Sequence, residues 1–379
     1  MTGRRGKRMR LASYNVENLF DRARAMNQNE WREGKPTLEK FAQLNALLGQ
    51  VEYSDATKKQ MVELMEALGL QKSDTGPFVI LRRNRGKLLT RPTDNSGIKI
   101  IAAGRADWVG SLELRRAPVD EIAMGLTAQV MIDLKADILT VVEAESRPAL
   151  LEFNNAMLPA RQGTPFDHVM VIDGNDERGI DVGLMTGAGC AIDTIRSHVD
   201  DKDKQGDLIF SRDCPEFAIP LPDGQTLHVL VNHFKSKGYG AKTLSDARRK
   251  LQAERVKAIY QQRIKEGQTL IAITGDFNDT PDSEALAPLL KETDLKDIFT
   301  HEKFDNGGYP GTWGGCSASN KIDYILLSPA LWKKVEKGGV WRKGMWPGVR
   351  PVKWETYPEL KKEVNAASDH AAVWVDLKI

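Results

Sequence analysis

Six short apolar runs of strand length in this chain each border polar residues that can bind a metal ion or transfer a proton. The runs alternate with helical segments, which predicts a layered α/β protein. Because ligands of such proteins collect where strand ends open into loops, the six positions are candidates for one shared active centre. They are Asn15, Glu143, Asn232-His233, Asp276 with Asn278, Asp323 and Ser368-Asp369-His370.

Each position taken alone also has a purely structural interpretation. Asn15 could cap a turn, Glu143 could be a surface carboxylate, and residues 275–278 could form a type I turn. The complete set is harder to explain in this way. It supplies hard oxygen ligands, two histidines and a carboxylate able to orient one of them, an inventory that suits metal-assisted hydrolysis.

The order of these blocks resembles the endonuclease/exonuclease/phosphatase family, which has the DNase I-like fold. The resemblance runs from residue 13 to residue 370 and is carried by Asn15, Glu143, Asn-His-Phe-Lys-Ser at 232–236, Gly-Asp-Phe-Asn at 275–278, Lys-Ile-Asp-Tyr at 321–324, Ser-Asp-His at 368–370 and a Thr-Trp pair at 312–313. It implies one domain over residues 1–379, built as a four-layer α/β sandwich of two packed mixed sheets flanked by helices. The stretch between Asn15 and Glu143 is longer than family members usually have, so residues 22–118 are interpreted as an elaboration.

The resemblance also implies roles for the individual residues. Glu143 and Asp369, with the neutral oxygen of Asn15, would bind Mg²⁺ or Mn²⁺. His370 would be the general base for water, oriented by Asp323. Asp276 and Asn278 would position the water and a phosphate oxygen, and His233 would donate to a non-bridging oxygen or to the leaving group. The sequence leaves open whether Asp276 or His233 donates the proton.

Four further residues are candidate substrate contacts: Arg178, Asn232, Lys235 and Arg248. We expect Arg248 and Arg249 in the first turn of a helix over about residues 245–265. Cations there oppose the helix dipole, so a bound anion would offset them, and solvated surface arginines are the alternative. Residues 332–354 hold half of the eight tryptophans among seven basic residues. This pattern suits base stacking with phosphate neutralisation, and core packing of the tryptophans is an equally weighted alternative.

The resemblance implies hydrolysis of a phosphoester bond, and together with the distribution of cations it leads us to expect a metal-dependent nuclease acting on DNA or RNA. The alternative is a phosphatase or phosphodiesterase acting on a small phosphoester or a phospholipid headgroup. A binding protein without activity is disfavoured, because every reactive position is filled. The net charge of +2 excludes a histone-like coating protein, and 41% hydrophobic residues exclude wholesale disorder.

The remaining sequence features concern the surroundings of the protein. No apolar run approaches the roughly 18–20 residues that span a bilayer, so no membrane association is expected. The three cysteines are widely spaced, which predicts a reduced, cytoplasmic protein without a disulfide framework. No obligate protein partner is evident.

Overall fold

The computed structural model describes residues 8–17, 19, 23–25, 31–94, 97–116, 120–176, 179–237, 242–349 and 352–379. Arg178, predicted above to contact substrate, lies outside the described residues. The chain divides into two compact units. One consists of Met1–Phe20 and Val119–Ile379, and the other consists of Asp21–Pro118.

The strands and helices are numbered along the described part of the chain. The strands are β1 Arg8–Asn15, β2 Val79–Gly86, β3 Leu89–Thr90, β4 Lys99–Ile100, β5 Trp108–Leu114, β6 Ile138–Ala144, β7 His168–Ile172, β8 Asp181–Thr186, β9 Thr194–Arg196, β10 Glu216–Pro220, β11 Thr226–His233, β12 Leu270–Asp276, β13 Lys296–Asp297, β14 Phe304–Asp305, β15 Asp323–Leu327, β16 Val335–Trp341 and β17 Ala372–Lys378. The α-helices are α1 Trp31–Leu48, α2 Asp55–Ala67, α3 Glu121–Leu134, α4 Arg147–Ala160, α5 Lys242–Lys265, α6 Ala287–Leu290 and α7 Pro329–Trp332.

The first unit contains two mixed sheets. The seven-stranded sheet has the order β14-β16-β17-β1-β6-β8-β7, and the six-stranded sheet has the order β13-β15-β12-β11-β10-β9. In the first sheet β1 runs parallel to β6 and antiparallel to β17. In the second sheet β11 runs parallel to β12, which pairs antiparallel with β15.

The two sheets pack face to face. Because alternate residues of a strand point to opposite sides, each strand contributes to the core between the sheets on one side and packs against helices on the other. In β1, Leu11 belongs to the core between the sheets together with Val229 of β11, whereas Tyr14 packs on the helix side with residues of α3 and α4. In β11, Leu230 faces the other way and packs with Val256 of α5. Helices therefore cover both outer faces, and the predicted four-layer sandwich is confirmed.

The unit Asp21–Pro118 has a core of its own, built from α1, α2 and strands β2 to β5. Leu44, Met61 and Leu81 are buried in it, and the indole nitrogen of Trp108 donates to the Tyr53 hydroxyl at 3.0 Å. Helix α1 begins at Trp31 and contains Pro36 in its second turn. Because proline has no backbone N–H, it removes one hydrogen bond of the helix at this position.

One prediction about helix α5 is wrong. The helix begins at Lys242, so Arg248 and Arg249 are its seventh and eighth residues, beyond the first-turn amides where a bound anion would offset their charge. No helix among the described ranges is long and apolar enough to cross a membrane.

Candidate active site

Strand direction brings most of the predicted residues to one edge of the two sheets. Parallel β1 and β6 end together, with Asn15 opposite Val142 and Glu143 next along the chain. In the second sheet, His233 at the end of β11 is opposite Asp276 at the end of β12. Asp276 is in turn opposite Asp323, the first residue of antiparallel β15. Because β17 is antiparallel to β1, the residues just before it also reach this edge.

Glu143 owes its orientation to an irregularity in β6. The register between β6 and β8 shifts between Val142 and Ala144, and Glu143 in between has a φ of +66°. Such a left-handed conformation is costly for a residue with a side chain, and β-bulges often re-aim a side chain next to an active site. The bulge turns the carboxylate toward Asn15, whose Nδ2 lies 3.3 Å from Oε1 of Glu143.

Close backbone approach explains the glycine before Asp276. Gly275 has a φ of +125°, and a Cβ atom there would lie 1.9 Å from the carbonyl oxygen of Asn232. After the strand, Asn278 adopts a φ of +53°. Its backbone amide donates to Asp276 Oδ1 at 2.8 Å and its Nδ2 donates to Asp276 Oδ2 at 3.1 Å. Asn278 therefore holds the Asp276 carboxylate.

His370 and Asp323 form a buried pair. His370 Nδ1 lies 2.9 Å from Asp323 Oδ2 and 3.1 Å from Oδ1. The backbone amide of Asp323 donates to Thr312 Oγ1 at 3.1 Å, and the amide of His370 donates to Ser368 Oγ at 3.0 Å. With Nδ1 engaged by the carboxylate, the ring orientation is set and Nε2 is the nitrogen left for chemistry.

Neighbouring carboxylates raise the pKa of two residues at this edge of the sheets, His370 and Asp276. Burial alone would lower the pKa of His370, but the carboxylates of Asp323, Asp369 and Asp276 raise it well above its usual value. The pKa of Asp276 is raised as well, first by burial and then by the Asp323 carboxylate. His370 Nε2 lies 4.0 Å from Asp276 Oδ2, so the two groups compete for the same protons.

The Asn232-His233 pair completes the second-sheet side of the site. His233 Nε2 lies 3.7 Å from both Glu143 Oε1 and Asp276 Oδ2. Asn232 is fully buried, and neither its Oδ1 nor its Nδ2 has a hydrogen-bond partner among the described residues. Buried amide groups without partners are rare in proteins, so Asn232 is poised to bind a polar ligand.

Asp369 is the most accessible carboxylate of the site, with a side chain 44% exposed. Its Oδ2 accepts a hydrogen bond of 2.7 Å from the indole nitrogen of Trp313, which is itself 40% exposed. Its backbone amide donates to Glu17 Oε2 at 3.0 Å. The sequence analysis did not identify this positioning role of Glu17, although it lies two residues after Asn15.

The arrangement fits a divalent cation. Asp276, Asp323 and His370 offer ligand atoms that all lie within 4.8 Å of one another, and Glu143 extends the carboxylate cluster. Oxygen-rich donor sets of this kind suit hard cations such as Mg²⁺ and Mn²⁺. The predicted ligand Asn15 presents Nδ2 rather than oxygen to Glu143, because its Oδ1 accepts from the Glu17 amide at 3.0 Å. Binding a metal through Asn15 therefore requires rotation of its amide.

The predicted substrate cations differ in their availability. Lys235 is half-buried, with its backbone amide donating to Gln252. Arg248 is half-buried on α5 and has no ion pair with a described residue, whereas Arg249 is fully buried and binds Asp246 and Asp279. Lys237 also pairs with Asp279, at 2.5 Å.

The tryptophans of residues 332–354 are only partly exposed and pack against the core. Trp341 packs beside α3 and α4, and its indole nitrogen donates to the Tyr357 hydroxyl at 3.0 Å. Trp354 donates to the carbonyl oxygen of Met345 at 3.2 Å. The alternative of core packing therefore describes these two side chains.

A separate buried ion network was missed in the sequence analysis. His198 Nδ1 lies 2.9 Å from Asp201, and its Nε2 lies 2.8 Å from Glu216. Arg263 of α5 also binds Glu216, through two hydrogen bonds of 2.7 and 2.8 Å. A histidine followed by acids at short spacing was the available signal. The network ties β10 to α5 and lies outside the cluster at the strand ends.

A family model described as the endonuclease/exonuclease/phosphatase family matches residues 99–331, which is more than half of the chain. The chain belongs to this family. The matched residues include Glu143, His233, Asp276 and Asp323. Proteins of the family are hydrolases of phosphoester bonds and generally depend on a divalent metal ion, in agreement with the acidic cluster.

Solved structures with a similar fold share little sequence with this family member. A mannosyl-6-phosphatase from Bacteroides thetaiotaomicron is 20% identical, with a TM-score of 0.47, over 67% of this chain and 90% of that chain. TDP2 from Caenorhabditis elegans is 14% identical, with a TM-score of 0.46, over 68% and 92%. The human Nocturnin catalytic domain is 15% identical, with a TM-score of 0.46, over 68% and 87%. A search of curated proteins finds no significant match.

Proposed function

We propose that this hydrolase is a metal-dependent nuclease that cleaves phosphodiester bonds of DNA or RNA. The observation that best supports hydrolysis is the buried pair of His370 and Asp323 beside a cluster of carboxylates, with His370 Nδ1 2.9 Å from Asp323 Oδ2. The choice of a nucleic acid is supported by Trp313, whose exposed indole lies at the site with its ring centroid 6.5 Å from that of His370. Aromatic faces of this kind stack on nucleobases.

His370 would accept the proton of the attacking water at Nε2. Asp323 holds the ring through Nδ1 and stabilises the positive charge that the ring gains. Asn232, with both amide atoms unpaired among the described residues, would bind a phosphate oxygen. His233 and Asp276 lie where one of them would give a proton to the leaving oxygen, and the raised pKa of Asp276 supports that role for its carboxyl group.

Glu143 and Asp369 would hold the divalent cation, with Asn15 joining after its amide rotates. The cation supplies charge compensation for the phosphate and for the departing oxygen. His370 must be neutral to act as a base, yet the surrounding carboxylates raise its pKa. A bound cation offsets those carboxylates and so favours the neutral ring. We further propose a cytoplasmic location, because Cys190, Cys214 and Cys316 are all buried and free.

A small phosphoester is the second candidate substrate. It is favoured by the state of the nearby cations, since Arg249 and Lys237 are already paired with Asp279. A long strand needs a track of available cations, whereas a small ester needs one or two.

Substrate profiling separates the two candidates. The purified protein is given single- and double-stranded DNA, RNA and bis(4-nitrophenyl) phosphate, each with Mg²⁺ and with Mn²⁺. We expect the highest kcat/KM on an oligonucleotide. Faster turnover of the small ester than of every oligonucleotide would overturn the nuclease proposal and leave the phosphoester hydrolase.

A further inference from the structure

An open cavity of about 1,030 Å³ lies outside the cluster of site residues. Its walls come from the segments after β12, around β13 and before β15 and from the end of α7, and they include Leu295, Phe299 and Trp332. Leu295 is 5% exposed, and Phe299 and Trp332 are partly buried. The cavity therefore offers an apolar and aromatic lining of the kind that takes a flat organic ring.

Lys321 forms a buried part of this lining. Its side chain is 5% exposed, and its Nζ pairs with Asp297 Oδ2 at 2.8 Å. The same ammonium donates to the carbonyl oxygen of Asp323 at 3.0 Å. The cavity is thus linked by a single side chain to the residue that orients His370.

The lining holds three lysines and two aspartates, Asp297 and the exposed Asp282, and two of the lysines are ion-paired. Lys321 is balanced by Asp297, and Lys291 pairs with Glu284 at 3.1 Å. Lys296 is exposed, has no ion pair with a described residue, and lies with Nζ 5.3 Å from the ring centroid of Trp332. One available cation beside an aromatic wall matches a ligand that carries one phosphate and one flat ring.

Neutral polar groups complete the lining. Asn306 uses its Oδ1 to accept from the Gly308 amide at 2.9 Å, while its Nδ2 has no hydrogen-bond partner among the described residues. An amide donor at the wall of an apolar cavity can bind the ring acceptors of a nucleobase.

We propose that this cavity binds one nucleoside phosphate unit, with the base against Leu295, Phe299 and Trp332 and the phosphate at Lys296. The identity of the ligand rests on the proposed nuclease function, and the unit would be a nucleotide of the substrate strand or a released mononucleotide. Both present a base and a phosphate, so the experiment includes one measurement for the substrate strand and one for the free mononucleotide.

Binding is read directly, without turnover. Adenosine 5′-monophosphate is titrated calorimetrically into the full-length protein, with adenosine and ribose 5-phosphate as ligands that lack one of the two parts. We expect the complete nucleotide to bind at least about tenfold more tightly than either part. Lys296→Ala should weaken its binding about tenfold, whereas Lys333→Ala, an exposed lysine outside the cavity, should leave it unchanged.

The position of the ligand is mapped with 8-azidoadenosine 5′-monophosphate. After irradiation and digestion, we expect label in residues 291–300 or 306–321. Label confined to residues 232–236, or an affinity for adenosine 5′-monophosphate that is unchanged in Lys296→Ala, would overturn the proposed cavity site.

Two activity measurements complete the test. Lys296→Ala should leave the hydrolysis of bis(4-nitrophenyl) phosphate unchanged. If Lys296→Ala raises the KM for oligonucleotides, the cavity binds a nucleotide of the substrate strand. If the KM is unchanged while nucleotide binding is weaker, the cavity binds a released mononucleotide.

The two proposals fail in different ways. A protein that binds and labels as expected but cleaves no nucleic acid would refute the nuclease proposal alone. A protein that cleaves oligonucleotides without binding the mononucleotide would refute the cavity site alone.

Discussion

Asp276 and Asp323 lie directly opposite each other on the antiparallel strands β12 and β15, so two carboxylates share one buried end of the sheet. Like charges at opposed positions of a sheet are destabilising. The proximity of Asp323 helps to raise the pKa of Asp276, after burial, and His370 lies between the same groups. The repulsion between these two buried carboxylates is unfavourable, and a bound cation would relieve it.

Replacing Glu143 tests the metal site. Glu143→Gln keeps the shape of the side chain but removes a negative charge, so affinity for Mg²⁺ should fall at least about tenfold with the fold intact. Calorimetric titration with Mg²⁺ or Mn²⁺ and circular dichroism measure the two properties. Glu152→Gln on the exposed side of α4 is the matched control. Full turnover of the unaltered protein in EDTA would contradict the metal assignment.

The pairing of His370 with Asp323 is tested by a double-mutant cycle. His370→Ala should lower kcat by roughly 10²–10⁴-fold, the usual range for general acid–base catalysis. Asp323→Asn acts through the same ring, so the double variant should be little slower than His370→Ala alone. Losses that multiply across the cycle would show that the two residues work on separate steps.

The close approach at Gly275 predicts a stability effect. Gly275→Ala places a Cβ atom 1.9 Å from the Asn232 carbonyl oxygen, so the free energy of unfolding should fall by about 3 kcal/mol or more. Gly267→Ala is the matched control. Gly267 also has a positive φ, +86°, but nothing lies within 4 Å of the added atom, so only the backbone cost of about 1–2 kcal/mol applies. Urea unfolding of both variants measures the difference, and equal losses would contradict the steric explanation.

The buried Asp181, which lies opposite Ala144 next to the bulge at Glu143, should make the stability of the protein depend on pH. Burial and the nearby Asp173 and Asp176 carboxylates raise its pKa from 3.8 to about 7, against the hydrogen bond from the Gly174 amide. Between these values the folded protein binds more protons than the unfolded chain, so stability falls as the pH rises from about 4 to about 7.

Asp181→Asn removes this titration. We compare the free energy of unfolding of the variant with that of the parent at pH 4 and at pH 8 by urea unfolding. The difference should shift in favour of the variant by about 1–3 kcal/mol between pH 4 and pH 8. Asp200→Asn on an exposed turn serves as the control and should follow the parent. A parallel pH profile for Asp181→Asn and the parent would show that folding does not raise the pKa of Asp181.

Arg248 and Arg249 should behave differently in nucleic acid binding. Each neutralised phosphate adds about 0.7–0.9 to the slope of log affinity against log salt. Arg248→Ala should reduce that slope by about one phosphate, measured by fluorescence anisotropy with a labelled oligonucleotide. Arg249→Ala removes one of the two cations that pair with buried Asp279 and should instead lower the melting temperature. An unchanged slope for Arg248→Ala would remove this residue from the substrate contacts.

The strands and the edge of the site could be predicted because both depend on local sequence pattern. β1, β6, β11 and β12 form from the apolar runs, and the polar residues that border these runs lie at the ends of the strands. Alternating or continuous apolar runs followed by polar residues encode both facts within a few positions. Parallel pairing then brings distant strand ends to the same edge.

The contacts that depend on distant partners could not be predicted. Arg249 is buried by its pairing with Asp279, and Trp341 is placed by Tyr357 and helices far earlier in the chain. The bulge at Glu143 is a register shift against β8, which no pattern within β6 reveals. In each case the deciding partner is many residues away, where single-sequence periodicity carries no information.

Strand β1 lies between β6 and β17, so Asn15 at its end is fixed by segments that are synthesised at opposite stages of translation. The Ser368 hydroxyl donates to the Asn15 carbonyl oxygen at 2.8 Å, across 353 positions of the chain. A contact of such long sequence separation forms late and slowly. During translation β1, β6 and β12 are all made before Ser368 and His370, so a nascent chain cannot complete the site until the segment before β17 has been synthesised.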